Sequence, residues 1–173
     1  MEEFLEVVDE NDGVINIEER DIVHASRKRH RIAHVLLYNG RGEILLQIRA
    51  LDKKVYPGRW DCSCSEHVKP GEPWDVAAKR GLEEELGIKG VKLEEALYCR
   101  GDYGDEGRAI SKVFVCRTDK KPKNIDKNEV YMYKFFSEGE IRKMLGEKEE
   151  TFAIWAAEQL KWKLGMSNRL APL

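Results

Sequence analysis

The sequence predicts an α+β fold, a mixed and largely antiparallel sheet with one central helix and one or two late helices. Two observations carry this. Apolar runs at residues 32–38 and 43–49 flank the turn Asn39-Gly40-Arg41-Gly42, which is hairpin chemistry. Helical patterns are too few to cross over between successive strands, which excludes a doubly wound sheet. A third observation sets the size. A chain of 173 residues, 42% hydrophobic, suits one domain with one core. We read residues 1–173 as a single domain with a core at about 28–165 and an N-terminal hairpin extension at about 1–27.

The elements follow in order. Residues 4–9 and 14–17 flank the turn signal Asp12-Gly13 and form an opening hairpin. Residues 20–26 read as a helical turn or loop before the basic cluster Arg27-Lys28-Arg29-His30-Arg31. The continuous apolar run 32–38 is a core strand that contains His34, and 43–49 returns antiparallel to it. Gln47 and Arg49 then share the face opposite Leu46 and Ile48. A basic loop with Lys53 and Lys54 leads to Trp60, read as a packing anchor, and to a short strand at 62–65. Strands follow at 91–100, 110–117 and 129–136. Ser137 and Glu140 have capping-box spacing for a helix to about residue 145. Thr151 is the expected cap of a last helix carrying Phe152, Trp155 and Trp162, with a frayed tail at 166–173.

Residues 66–88 organise the rest. Pro73 suits a first helical turn and Gly87 a helix stop. Ala78, Leu82 and Leu86 make an apolar stripe, Arg80 and Glu84 lie opposite as neighbours four apart, and Glu85 lies at the edge of that polar side. A loop thus meets a helix face bearing adjacent carboxylates. Such a face suits a hard divalent cation held over a phosphate.

Composition excludes other classes. A net charge of −2 argues against bulk nucleic-acid binding. No apolar run approaches a membrane span, and the acidic start lacks signal-peptide layout, so the expected compartment is cytoplasmic. Cys62, Cys64, Cys99 and Cys116 are then expected as reduced thiols without zinc spacing. The N-terminal segment and the Trp-bearing last helix are candidate homodimer surfaces.

Glu72, then Arg80, Leu82, Glu84, Glu85, Gly87 and Ile88 match seven of the nine specified positions of G-x5-E-x7-R-E-U-x-E-E-x-G-U, where U is bulky and apolar. This resembles the box of the Nudix hydrolase family. The departures are Glu66 for the first glycine and Gly81 for the glutamate after the arginine. His30, Gly42-Glu43-Ile44-Leu45-Leu46-Gln47, Arg49, Lys53, Pro57-Gly58, Trp60-Asp61 and Glu129-Val130 resemble the branch holding isopentenyl diphosphate isomerase and its hydrolase relatives. The resemblance implies an α/β/α sandwich and Mg²⁺- or Mn²⁺-dependent cleavage of a small-molecule diphosphate. By position it implies Glu84 and Glu85 as metal ligands, with Glu106 or Glu129 completing the site or acting as base, so that Glu84, Glu85 and Glu129 form the catalytic set. Arg31, Arg49 and Lys54 are candidate phosphate contacts. Glu72, Arg80 and Gly87 are structural, Arg80 pairing with Glu72.

Two alternatives stand beside hydrolysis. One is an isopentenyl diphosphate isomerase, whose metal histidines fall near His24, His30 and His67. The isomerases carry a cysteine where this chain has Ser65, and a pair of glutamates where it reads Gly107-Arg108-Ala109. The other is a non-catalytic diphosphate-binding module, motivated by Gly81.

Overall fold

The computed structural model describes residues 2–104, 107–170 and 172–173. Strands β1 (Phe4–Val8) and β2 (Val14–Glu19) form the opening hairpin, followed by α1 (Arg20–Ala25). Then come β3 (His30–Tyr38), β4 (Ile44–Arg49), β5 (Trp60–Asp61), β6 (Cys64–His67) and α2 (Trp74–Leu86). β7 (Leu93–Asp102), β8 (Arg108–Arg117), β9 (Val130–Phe136), α3 (Glu138–Lys148) and α4 (Ile154–Lys163) complete the chain.

The sheet is organised around β3. One edge of β3 pairs in parallel with β8 along its whole length, from His30↔Ala109 to Tyr38↔Arg117. The other edge is shared: β1 at His30, β6 from Ile32 to Val35, and β4 only at Tyr38↔Ile44. β3 and β4 therefore diverge after their turn. β4 leaves with β9 on one side and β5 on the other. The opening between these two groups of strands is where the site lies.

Alternation along β3 assigns the two layers. Val35 and Leu37 pack with Ala77, Ala78, Leu82 and Leu86 of α2. Leu36 and Tyr38 pack with Ile141 and Leu145 of α3 and Ala156 and Leu160 of α4. One helix on one face and two on the other make the α/β/α sandwich. Ser137 and Glu140 form the reciprocal capping box at α3.

Four local expectations are corrected. Pro73 is the residue before α2, extended at φ −63° and ψ 143°, and Trp74 is the first helical residue. The last helix starts three residues after Thr151, which sits instead in a 3-10 turn and donates its hydroxyl to the Lys148 carbonyl at 2.7 Å. Phe152 pairs with Trp60 rather than joining the helix. The tail is docked, not frayed: Leu170 is buried, Pro172 bridges to Cys99, and the Leu173 amide donates to the Tyr98 carbonyl at 2.8 Å. Its apolar leucine completes a core edge that hydropathy alone left open. The opening hairpin is hydrogen-bonded into the main sheet through Val7↔His30.

Candidate active site

A cavity of about 560 Å³ fills the opening between β3–β6 and β4–β5, a volume typical of small-ligand pockets. One wall comes from α2 and the β6 residue that faces it, with Glu66, Arg80, Glu84 and Glu85. The other comes from α1, β3 and β6, with His24, His30, His34, Ser65 and His67. Lys53, Lys54, Glu129 and Arg108 stand around them.

The loop–helix segment is locked before any ligand enters. Arg80 donates Nε and Nη2 to the two oxygens of Glu72, each at 2.9 Å, and Nη2 also to the His67 carbonyl at 2.8 Å. Burial disfavours the Glu72 anion, but these bonds and the Lys69 amide outweigh it and hold its pKa below the usual range. Gly87 ends α2 at φ +64°, and a Cβ there would lie 1.8 Å from the Lys123 carbonyl oxygen, so only glycine fits. Arg80 Nη1 also sits 3.2 Å from Glu66 and 3.4 Å from Glu84.

Glu84 is exposed and faces the cavity, while Glu85 departs from expectation. Instead of lying at a polar edge it is only 5% exposed. Gln47 donates to one of its oxygens at 2.7 Å, and the Cys64 thiol approaches the other at 3.5 Å. Burial pushes its pKa up to about 8, against the Gln47 hydrogen bond that favours the anion. At about 100° per residue position 85 lies beside Ala78, within the buried arc of α2 and not at its polar edge.

The remaining positions divide. Arg31 is corrected: it does not line the cavity. Its Nε donates to Asp12 at 2.6 Å, its Nη2 to the Asp12 carbonyl at 2.8 Å, and its Nη1 pairs with Glu6. The opening hairpin captures it. Arg49 does line the cavity, but its guanidinium is committed to Asp61 at 2.8 Å and to the Val55 carbonyl at 3.1 Å, over the Trp155 ring. Lys54 is exposed at the rim, 3.3 Å from Asp21. Glu129 stands at the mouth, ion-paired with Lys53. Glu106 lies outside the described residues.

Two features were not singled out from sequence. Asp61, fully buried, accepts from Arg49, the Cys62 amide at 2.7 Å, Ser65 at 3.1 Å and Trp155 at 2.9 Å. It ties four segments together beneath the cavity. Ser65 in turn lies 3.0 Å from His34 Nδ1, and His34 Nε2 has no partner among the described residues. The signal for Asp61 was its place after Trp60 in the branch-like run, but no spacing rule revealed its partners.

The histidine wall is a metal-shaped cluster. His24, His30 and His67 place one ligating atom each within 4.8 Å of one another, the one such group of three among the described residues. His30 Nδ1 is 3.0 Å from the Lys28 carbonyl, which makes it the donor and leaves Nε2 as a lone pair without a partner among the described residues. His24 Nε2 and His67 Nε2 approach at 3.2 Å, and Glu3 stands 3.4 Å from His67 Nδ1. Burial is the main cause that lowers His24 to about 4 and His30 to about 3, so both rings are neutral and ready to ligate. An orphaned buried imidazole nitrogen close to two others fits a borderline cation such as Zn²⁺.

Known proteins place the whole. Residues 28–162 match the NUDIX domain. The chain is 39% identical over 93 residues to an uncharacterized Nudix hydrolase of Yersinia pestis, covering 54% of this chain and 51% of that one, about half the relative's length. It is 32% identical over 152 residues to the isopentenyl-diphosphate Delta-isomerase of Pectobacterium atrosepticum, covering 86% of this chain and 84% of the isomerase. Among solved structures, DR0079 from Deinococcus radiodurans superposes with a TM-score of 0.77 at 19% identity, covering 92% of this chain and 98% of that one. A MutT protein from Methanosarcina mazei superposes at 0.65 and 22% identity, covering 82% and 96%. By its domain match, its relatives and its fold, the chain belongs to the Nudix family, in the branch that resembles isopentenyl diphosphate isomerases.

Proposed function

We propose that the protein is a divalent-cation-dependent hydrolase that cleaves a diphosphate linkage in a nucleotide-linked or related small molecule. One observation carries this: the carboxylates of α2 and the mouth, Glu84, Glu85 and Glu129, line the same cavity as Lys54 and Arg108, cations at a rim. The donor set is oxygen-only on that wall, which fits Mg²⁺ or Mn²⁺, and Glu84 and Glu85 would hold it. When bound, such an ion neutralises phosphate charge and acidifies a water. The chain's own residues do the rest. Gln47 orients Glu85, and Arg80 fixes the loop against the helix. Lys54 and Arg108 attract the anionic group, Glu129 receives the proton of the attacking water, and Arg49 acts through Asp61 as a positioning residue.

The isomerase reading is favoured by the histidine cluster. It is opposed by Ser65, whose hydroxyl bridges His34 and Asp61 where the isomerases have a cysteine, and by Gly107-Arg108-Ala109 in place of paired glutamates. A hydroxyl is a far weaker acid than a thiol and does not take over its proton transfers at neutral pH.

A panel of nucleoside-diphosphate derivatives with Mg²⁺ or Mn²⁺, and isopentenyl diphosphate separately, distinguishes the readings. Release of a monophosphate is expected. Dimethylallyl diphosphate formed without phosphate loss would establish the isomerase instead, and saturable binding without turnover would establish a binding module.

A further inference from the structure

We infer that Glu66 and Gly81 are one exchange, in which the carboxylate missing from α2 is supplied to the cation site from β6. The box pattern calls for glycine at 66 and glutamate at 81, and this chain has the reverse. The structure shows why the two departures belong together. The register Ala33↔Glu66 and Val35↔Cys64 puts Glu66 and Cys64 on the face of β6 that meets α2. A Cβ on Gly81 would lie 2.5 Å from Cys64 Sγ, 2.9 Å from Glu66 Cβ and 3.2 Å from Glu66 Cγ. Cys64 and Glu66 together fill the space that a side chain at 81 would enter, so with glutamate at 66 position 81 has room only for hydrogen.

The exchanged carboxylate faces the right partners. Glu66 Oε1 is 3.2 Å from Arg80 Nη1, the same nitrogen that stands 3.4 Å from Glu84 Oε2. One guanidinium nitrogen thus separates Glu66 from a proposed ligand, and both line the cavity with Glu85. Gln47 adds an independent sign of a ligand: it is only 3% exposed, donates to Glu85, and leaves its own Oε1 without a partner among the described residues. Glu66 is therefore a third oxygen ligand, reaching the cation from the strand side. Its consequence for turnover rests on the hydrolase reading; its consequence for cation binding does not.

The test uses the full chain and MgCl₂ alone, since Mg²⁺ prefers oxygen donors and leaves the imidazole cluster aside. Mg²⁺ affinity is measured by calorimetry and by the Mg²⁺-dependent rise in melting temperature. Glu66→Gln keeps the volume and an acceptor for Arg80, so the fold persists, and Mg²⁺ affinity falls at least about tenfold. The triple variant Glu66→Gly, Gly81→Glu and Cys64→Ala clears the space, returns the carboxylate to the helix and recovers affinity to within about threefold of the original. Unchanged Mg²⁺ affinity in Glu66→Gln would overturn the inference. So would a folded triple variant that binds no better than Glu66→Gln. If Mg²⁺ binding behaves as expected but no diphosphate is cleaved, the hydrolase reading fails and the exchange stands. If cleavage proceeds and Glu66→Gln leaves Mg²⁺ binding intact, the exchange fails and the hydrolase reading stands.

Discussion

The two walls of the cavity are built in opposite ways. The carboxylate wall comes largely from a single helix, with Arg80, Glu84 and Glu85 on α2. The imidazole wall comes from three separate elements: His24 on α1, His30 on β3 and His67 on β6. The first wall is held by Arg80; in the second, burial lowers the pKa of His24 and His30. Hard oxygen donors and neutral nitrogens select different cations. The cleft therefore separates a wall suited to phosphate chemistry from one suited to a tightly held borderline metal.

The sharpest way to break this division is to remove one donor from each wall. Glu85→Gln should lower Mg²⁺-dependent turnover by more than about 100-fold. The melting temperature of the metal-free protein should not fall, because the change replaces an acid that burial disfavours with a neutral isostere. His67→Asn should abolish stoichiometric Zn²⁺ binding, read by calorimetry, and change hydrolysis only a few-fold. Equal losses from both variants would mean that the walls form one centre.

Acid should act on the imidazole side first. Burial holds His34 at about 4, below its ordinary 6.5. The unfolded chain then binds a proton that the folded chain refuses, so folding stability falls as pH drops below about 6.5 and levels off below about 4. The expected loss from this one group is on the order of 3 kcal/mol, measured by urea unfolding between pH 7.5 and 4.5. A folded His34→Gln variant should show a shallower slope over that window; an unchanged slope would assign the acid sensitivity elsewhere.

Gly81→Ala probes packing under the carboxylate wall. Alanine gains about 1 kcal/mol of helix propensity. Its Cβ would press on Cys64 Sγ, and overpacking of this kind costs about 1–3 kcal/mol. The clash is with a fully buried sulfur on a strand, so a net loss is expected, visible as a lower urea midpoint. The smallest effect belongs to Lys54→Ala. An exposed rim lysine contributes within about 0.5 kcal/mol to stability. The substitution should raise KM for an anionic substrate at low salt and converge with the original protein as salt increases.

Much of the carboxylate wall was legible from sequence because its determinants are local. Arg80 and Glu84 are helical neighbours whatever surrounds them, and the Gly87 stop depends on its own backbone. Glu85 was misplaced because its charge outweighed its position, which at about 100° per residue is next to Ala78 on the buried arc. Arg31 fails for a related reason. A basic side chain before a core strand looks free for phosphate until the hairpin supplies Glu6 and Asp12. The docked tail is the same case, because the strand it joins is about seventy residues earlier in the chain.

The sequence by itself determined the sandwich, the loop–helix box and the identity of its carboxylates, since short-range periodicity, turn chemistry and fixed spacing encode them. Tertiary structure alone decided that Gln47 and Cys64 meet Glu85, that three distant histidines converge, and that Cys64 and Glu66 close the space beside Gly81. Those outcomes depend on which strands pair and where β3 and β4 part. Pairing is set by the whole core at once, not by any window of neighbouring residues.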